Sequence, residues 1–370
     1  MSEHLADLPA MAVSARVDRL RPAVADAGCD GLLVTNLTNI RYLTGFTGSA
    51  GLLLVRPHDL LFVSDGRYAQ QAADQLAAAG VDARIEISGT GQREVLQQGA
   101  AGIDRLGLEA GAVTWAQQRR YADEWFPGVE LVPTDGLVET LRVVKDEGEV
   151  ARIEAAAHIA DAALAEVRPR LLDAPTEAEF GLALDTAIRR LGAEGTSFET
   201  IVASGPNGAK PHHRPGSRRI EPGDLVVLDF GALVDGYCSD MTRTVIVGEP
   251  SPTQARMLEV VTASQQAGVE AVRAGVPTAE VDAACRAVIA EAGWGDAFLH
   301  GTGHGVGLDI HEDPRVAATA TATLAPGHVV TVEPGVYLPD HGGVRVEDTV
   351  VVTDEGCRRL TLAPKAPLVA

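Results

Sequence analysis

What the chain lacks narrows its class before any motif is read. Its four cysteines, Cys29, Cys238, Cys285 and Cys357, stand far apart and form no Cys-x-x-Cys pair. That spacing argues against a zinc ribbon or a disulfide scaffold and suits a reducing compartment. No stretch approaches the ~18 consecutive apolar residues of a membrane span. The opening MSEHLADLPAMAVSARV is acidic, with no apolar core of signal-peptide length. Basic residues are scarce: 31 Lys and Arg stand against 51 Asp and Glu, a net charge of −20. A nucleic-acid or anionic-membrane surface needs a basic face, so neither partner is expected. The expectation is a soluble, cytoplasmic protein. With 370 residues, 46% of them hydrophobic, the chain is long enough for about two domains with a well-buried core.

Residues 1 to about 11 carry little pattern and read as a frayed lead-in. Val13, Val17, Leu20 and Val24 then recur at helical spacing, with Gly28 closing the run. Gly31–Val34, Leu52–Val55 and residues 60–63 read as short strands. Residues 68–79 and 114–121 read as helices, and 83–87 and 107–109 as extended. Alternating short strands and helices over about 135 residues predict a small α/β domain. The GFTGSAG stretch from Gly45 lacks the lysine of a phosphate loop and a following helix, so it reads as a turn. The DGRY stretch from Asp65 reads as another.

A charged segment, LRVVKDE from Leu141, opens a long helix striped by Val150, Ile153, Ala157, Ala160, Leu164 and Val167. The domain boundary is placed here, dividing the chain into 1–143 and 144–370. Thr176-Glu177-Ala178-Glu179 is a capping-box pattern opening a second helix, which ends near Gly192. A hairpin follows. The same order then returns: a helix from Ser251 to about Arg273, another that Thr278 can cap, and two apolar strands over 328–338 and 343–353. Helix, helix and hairpin twice over predict two halves related by pseudo-symmetry around a central site.

Acids lie inside these strand patterns. LVVLDFGALVDGYCSDMTRTVIV, from Leu225 to Val247, reads as a hairpin turning at Asp235-Gly236. In that register Asp229 faces Thr242, and Asp240 lies diagonally opposite on the same side of the pleat. Two carboxylates converging from buried strands repel each other and desolvate badly, so a cation belongs between them. Glu333 and Glu347 occupy the corresponding strands of the second half. Any one of these acids alone reads as well as an edge gatekeeper, a partner of Arg243 or Arg345, or a solvent-facing residue. A pair from each half is the stronger pattern. In HGTGHGVG, glycines surround His300 and His304 and allow the imidazoles a close approach to a ligand. His311 follows, and His212-His213 stand upstream. Four carboxylates with one or two imidazoles form an oxygen-rich set suited to manganese, cobalt or magnesium rather than thiolate-bound zinc. Shared carboxylates can bridge two ions roughly 3.5 Å apart, which activate water and polarise a carbonyl or phosphoryl oxygen. From the residues alone the reading stops at a two-metal hydrolase.

A resemblance takes it further. Asp229 in LDFG, Asp240 in SDMTRT, His304 in HGTGHGVG, Glu333 in TVEPGVY and Glu347 in GVRVEDT resemble, in order and context, the ligand set of the M24, or pita-bread, metallopeptidases. IVASGPNGAKPHHRP resembles the Xaa-Pro branch, with His212 at its motif histidine. NIRYLTGFTGSAG and SDGRYAQQA resemble the amino-terminal domain of aminopeptidase P and prolidase. The implied fold is a small creatinase/prolidase-like α/β domain followed by a pseudo-symmetric α+β pita-bread catalytic domain. The implied cofactors are two divalent metal ions, Mn2+ foremost, with Co2+ or Zn2+ as alternatives. Asp229 would chelate one ion, His304 and Glu333 the other, and Asp240 and Glu347 would bridge the pair. The implied reaction is attack of a metal-bridging hydroxide on the carbonyl before proline, with Glu333 handling the proton. His212, His300 and His311 would orient substrate and stabilise the tetrahedral intermediate. Arg345 would face the site beside Glu347, or serve as a structural salt-bridge partner of a ligand acid. His213 has no matching role. Short proline-containing peptides are the implied substrates and a homodimer the implied assembly.

The TGFTGS and DGRY contexts place Xaa-Pro aminopeptidase first and Xaa-Pro dipeptidase second. A creatinase-like hydrolase working without metal comes third, because its relatives lack the full ligand set. A binding module without activity, and a methionine aminopeptidase lacking an amino-terminal α/β domain, fit less well.

Overall fold

The computed structural model describes residues 8–368, so the first seven positions of the expected lead-in lie outside the described residues. The chain divides into two compact units, Met11–Arg142 and Val143–Ala370, the latter taking in the residues just before Met11.

The first unit is built on a six-stranded sheet. Its strands are β1 (Gly31–Val34), β2 (Leu52–Val55), β3 (Leu60–Ser64), β4 (Arg84–Ile87), β5 (Arg105–Glu109) and β6 (Glu130–Thr134), ordered β4-β3-β2-β1-β5-β6. The helices are α1 (Arg16–Asp26), α2 (Leu37–Thr44), α3 (Ala69–Ala78), α4 (Gln92–Gly99), α5 (Trp115–Arg120) and α6 (Leu137–Arg142). Strand β1, GLLV, is buried at every position, as a strand covered on both faces must be. The GFTGSAG stretch is the turn its composition suggested. Gly45 ends α2 in the left-handed region at φ 74°, and β2 follows. Open α/β sheets commonly take ligands beyond the carboxyl ends of neighbouring parallel strands. Here Glu109 fills that place, accepting the Thr35 and Asn36 N–H groups at 2.6 and 2.8 Å.

The second unit opens with α7 (Glu147–Val167) and α8 (Glu177–Arg190). Strands β7 (Gly195–Thr196), β8 (Ile201–Ser204), β9 (Leu225–Phe230), β10 (Ala232–Val234), β11 (Tyr237–Cys238) and β12 (Met241–Ile246) complete its first half. The second half begins with α9 (Pro252–Ala271) and α10 (Thr278–Glu291). It continues through β13 (Gly303–Gly305), β14 (Glu312–Val316), β15 (Val329–Val332), β16 (Gly335–Leu338), β17 (Gly342–Arg345), β18 (Asp348–Val352) and β19 (Cys357–Arg359). Each half has its own core. Leu164, Leu184, Ile188, Leu228 and Phe230 pack together in the first, and Val261, Val281, Ile289, Val330 and Val350 in the second. Capping boxes start α7 at Asp146, α8 at Thr176 and α9 at Ser251. Thr278 does not cap α10 as expected. Pro277 holds that position, and the Thr278 hydroxyl donates to the Ala322 carbonyl.

Two hairpins position the site. In the first, Asp229 pairs with Thr242 and Val234 with Tyr237, the register expected from the turn. Asp235 and Gly236 both have positive φ, 44° and 72°, the mirror-image turn that matches strand twist. The hairpin changes sheets part-way: β9 and β12 lie in one sheet with β8, which pairs with β9, whereas β10 and β11 lie in another with β7, which pairs with β10. At the crossing, a Cβ on Gly231 would lie 1.8 Å from the Ser239 carbonyl oxygen, so only glycine fits. Asp240 sits at this crossing. The second hairpin splits in the same way. Val332 pairs with Asp348 and Gly335 with Arg345, which sets Glu333 opposite Glu347 where the strands change sheets. The two long strands expected here are therefore each broken in two, and the acids occupy the breaks.

Candidate metal centre

One carboxylate oxygen from each of Asp229, Asp240 and Glu347 comes within 4.8 Å of the other two. The Nε2 atom of His304 lies 3.5 Å from Asp240 and 3.4 Å from Glu333. All five residues expected at a metal centre thus converge, from both hairpins and the histidine loop. His304 Nδ1 lies 2.9 Å from the Gly305 carbonyl, which can only accept. The ring proton therefore sits on Nδ1, leaving the Nε2 lone pair facing the carboxylates, as a metal-ligating histidine requires.

The electrostatics favour a cation at this point. Asp229 Oδ1 and Glu347 Oε1 are buried without a hydrogen-bond partner, a condition that buried carboxylate oxygens rarely keep. Burial, then repulsion from Glu347, Asp229 and Glu333, raises the Asp240 carboxyl well above its usual range. Burial, then repulsion from Glu333 and Asp229, does so for Glu347. Glu333 is pushed up to about 8, mainly by burial. With no cation the acids would hold protons instead of charge. Two orphan oxygens, oxygen-rich donors and an oriented imidazole fit divalent metal ions.

Arg345 lies beside these acids, 3% exposed. Its Nη2 donates to Asp229 Oδ2 at 2.5 Å, Nε to Thr242 Oγ1 at 3.1 Å, and Nη1 to the Tyr337 hydroxyl at 2.8 Å. Burial opposes the guanidinium charge, but Tyr337, Asp229 and Glu333 outweigh it and its pKa is raised. Thr242 passes the contact on, its hydroxyl donating to Glu347 Oε2 at 2.7 Å. His300 Nδ1 is held by the Gly301 carbonyl at 2.8 Å, so Nε2 accepts the Tyr337 hydroxyl at 2.8 Å. Burial lowers the His300 pKa to about 4, so the ring is neutral near pH 7. Both its nitrogens are engaged within the protein.

The loop bearing these histidines hangs from α10. Asp282, fully buried, accepts the Thr302 N–H and hydroxyl at 3.1 and 2.9 Å and Arg286 Nε at 2.7 Å. Arg286 also donates to the Phe298 and His300 carbonyls. The Thr302 carbonyl in turn accepts the Glu333 N–H at 2.7 Å. The His311 ring packs 4.3 Å from that of His304. His311 and His212 are both exposed. His212 lies near enough to His300 and His311 that its charge would disfavour protonation of either.

Sequence reading missed Tyr337, Asp282, Arg286 and Thr242 as parts of the site. A signal existed for Tyr337, since strand alternation puts it on the same face as Glu333. Asp282 gave none, being one acid on an amphipathic helix.

Residues 151–354 match the description of metallopeptidase family M24, and residues 16–144 that of the creatinase/prolidase N-terminal domain. The chain belongs to family M24. An Xaa-Pro dipeptidase from Pyrococcus furiosus is 33% identical over 348 residues, covering 94% of this chain and 97% of that one. A solved Xaa-Pro dipeptidase from Bacillus anthracis superposes with a TM-score of 0.93 at 40% identity, covering 96% of this M24 chain and 99% of that one. A solved X-Pro aminopeptidase from Thermotoga maritima gives 0.86 at 34%, covering 95% and 99%. The M24 enzyme therefore has the pita-bread fold, preceded in sequence by a creatinase-type amino-terminal domain, and is an Xaa-Pro-type metallopeptidase of a family implying divalent metal ions. The order expected from the TGFTGS and DGRY contexts is reversed, because the likeness favours dipeptidases over aminopeptidases. Those motifs belong to an amino-terminal domain common to both groups and do not separate them. Among the described residues no helix is long and apolar enough to cross a membrane.

Proposed function

We propose that this enzyme is an Xaa-Pro dipeptidase, hydrolysing the bond before a carboxy-terminal proline. The observation that carries the proposal is the buried carboxylate cluster with two orphan oxygens, in a chain so similar to Xaa-Pro dipeptidases along nearly its whole length. The catalytic part would be residues 144–370. Asp229, Asp240, His304, Glu333 and Glu347 would hold two divalent ions, with Mn2+ suited to so oxygen-rich a set. The bound ions would supply an activated water and polarise the scissile carbonyl.

The chain's own residues do the rest. Glu333, kept ionised once a cation is bound, would take a proton at its carboxylate from the attacking water and return it to the leaving proline nitrogen. Arg345 fixes Asp229 and, through Thr242, Glu347. Tyr337 ties Arg345 to His300, which anchors that end of the site. His212 and His311 are exposed and would orient the peptide. A dipeptide differs from a longer substrate in carrying its free carboxylate on the proline, which needs a cation. Burial lowers the His304 and His311 pKa values, and the charge of exposed Arg315 adds a smaller contribution to both, which supports that role for Arg315. The family resemblance implies a homodimer, which light scattering would check.

Substrate length tests the proposal. The metal-loaded enzyme should cleave Xaa-Pro dipeptides and leave Xaa-Pro tripeptides and pentapeptides at least about tenfold slower in kcat/KM, an assumed margin of ~1.4 kcal/mol. Equal or faster turnover of the longer peptides would replace dipeptidase by aminopeptidase. Full activity after chelation, with no metal found by elemental analysis, would favour a creatinase-like hydrolase.

A further inference from the structure

We infer that Glu177 is a positioning residue for His212, acting through a latch closed by His213. The inference rests on the Xaa-Pro reading to the extent that His212 is taken to meet the substrate.

Glu177 is the first residue of α8 and its side chain is fully buried. The helix does not need it as a cap. Thr176 and Glu179 already form a complete capping box, each reaching the backbone N–H of the other. The Glu177 carboxylate is turned instead to a single loop. Its Oε1 accepts the Ser204 N–H at 2.8 Å, the Ser204 hydroxyl at 2.7 Å and Asn207 Nδ2 at 3.0 Å. Its Oε2 takes His213 Nε2 at 2.9 Å and the Gly216 N–H at 3.1 Å, with Asn207 Nδ2 at 3.3 Å. Every donor lies between residues 204 and 216, the segment that contains His212. Burial alone would raise the Glu177 pKa, yet these hydrogen bonds hold it below the usual carboxylate range. Hydrogen bonds to an ionised acceptor are roughly twice as strong as neutral ones, so a charged Glu177 grips the loop harder than a neutral isostere could.

The loop is pinned on its other side as well. Gly208 lies against Gly343 in β17, backbone on backbone. A Cβ on Gly343 would come within 1.9 Å of the Gly208 carbonyl oxygen. Two residues along from Gly343 is Arg345. The loop therefore spans from α8 to the strand that carries the guanidinium of the site, and His212 projects exposed from it. His213, which the sequence left without a role, turns inward to Glu177 at 2.9 Å, while its neighbour His212 is exposed. Such positioning matters because a displacement of about 1 Å can cost about 10²-fold in rate.

A double-mutant cycle tests this. kcat/KM on an Xaa-Pro dipeptide would be measured for the manganese-loaded wild type, Glu177→Gln, His212→Ala and the double variant, with Tm and metal content for each. Gln keeps one acceptor oxygen but sets an NH2 group against the Gly216 and His213 donors. His212→Ala and Glu177→Gln should each lower kcat/KM by about 10²-fold, with metal content unchanged. The double variant should be no worse than His212→Ala alone, because contacts acting through one group are not additive. A purely structural Glu177 would lower Tm and multiply fully with His212→Ala, which would overturn the inference while leaving the Xaa-Pro reading intact. A silent His212→Ala would remove the assignment of His212 and this inference with it. His213→Ala keeps the Ser204 and Gly216 bonds and serves where Glu177→Gln does not fold. It should show a smaller loss with the same non-additivity, and full multiplication with His212→Ala would again overturn the latch.

Discussion

Arg345 donates to Asp229 Oδ2 at 2.5 Å, while Oδ1 of the same carboxylate is buried without a partner. One side of Asp229 is thus compensated by the protein and the other left for a cation. Removing the partner of a buried charge typically costs roughly 3–5 kcal/mol. Arg345→Ala should lower the stability of the metal-free enzyme by about that amount. The loss should be smaller with manganese bound, since the cation takes over the compensation. Thermal melts with and without chelator check this, and an equal drop in both states would count against a shared role.

Cation binding should release protons and weaken in acid. Asp240 and Glu347 are raised well above their usual values and Glu333 to about 8, in each case with burial as the largest cause. In the unfolded chain these acids titrate near 4. The metal-free folded state therefore binds more protons than the unfolded state between about pH 4.5 and 8, and these groups lose it stability as pH rises through that window. A bound cation keeps them ionised and removes that loss. The stability gap between loaded and metal-free enzyme should accordingly widen from pH 5 to pH 8. Calorimetric manganese titration in buffers of different ionisation enthalpy would count the protons released. A gap independent of pH, with no protons released, would contradict the proposed ligand set.

Asp240 sits where the first hairpin changes sheets, with neighbouring acids on two sides and His304 Nε2 3.5 Å away. As a residue proposed to bridge both ions it should be the least replaceable of the acids. Asp240→Ala should lose activity and at least one metal equivalent by elemental analysis. Near-normal turnover in the variant would remove the bridging role.

Much of this centre was legible in the sequence because its logic is local. Asp235-Gly236 fixed the turn, alternation then put Asp229 and Asp240 on one face, and the observed pairing of Asp229 with Thr242 follows. The motifs around His304, Glu333 and Glu347 carried the rest by resemblance. What escaped were contacts made across the fold. Nothing near Glu177 in sequence shows that its donors lie 27 to 39 residues away. Nor could alternation show that the long strands break at Glu333 and Glu347, since a run of valines reads as continuous whether or not its partner changes. The choice between dipeptidase and aminopeptidase also escaped, because TGFTGS and DGRY belong to a domain common to both.

Asp282 gives the last prediction, and it concerns the second histidine loop. Its buried carboxylate takes two bonds from Thr302 and one from Arg286, and Thr302 in turn accepts the Glu333 N–H. The helix thus reaches two proposed ligands, His304 through the loop and Glu333 through its backbone. Asp282→Asn exchanges one acceptor oxygen for a donor facing either Arg286 or Thr302, so one buried donor loses its partner at a cost of about 1–3 kcal/mol. A lower Tm and weaker manganese binding, read by competition with a chromophoric chelator, are expected together. A lower Tm with manganese affinity unchanged would mean that Asp282 supports the fold without setting the geometry of the centre.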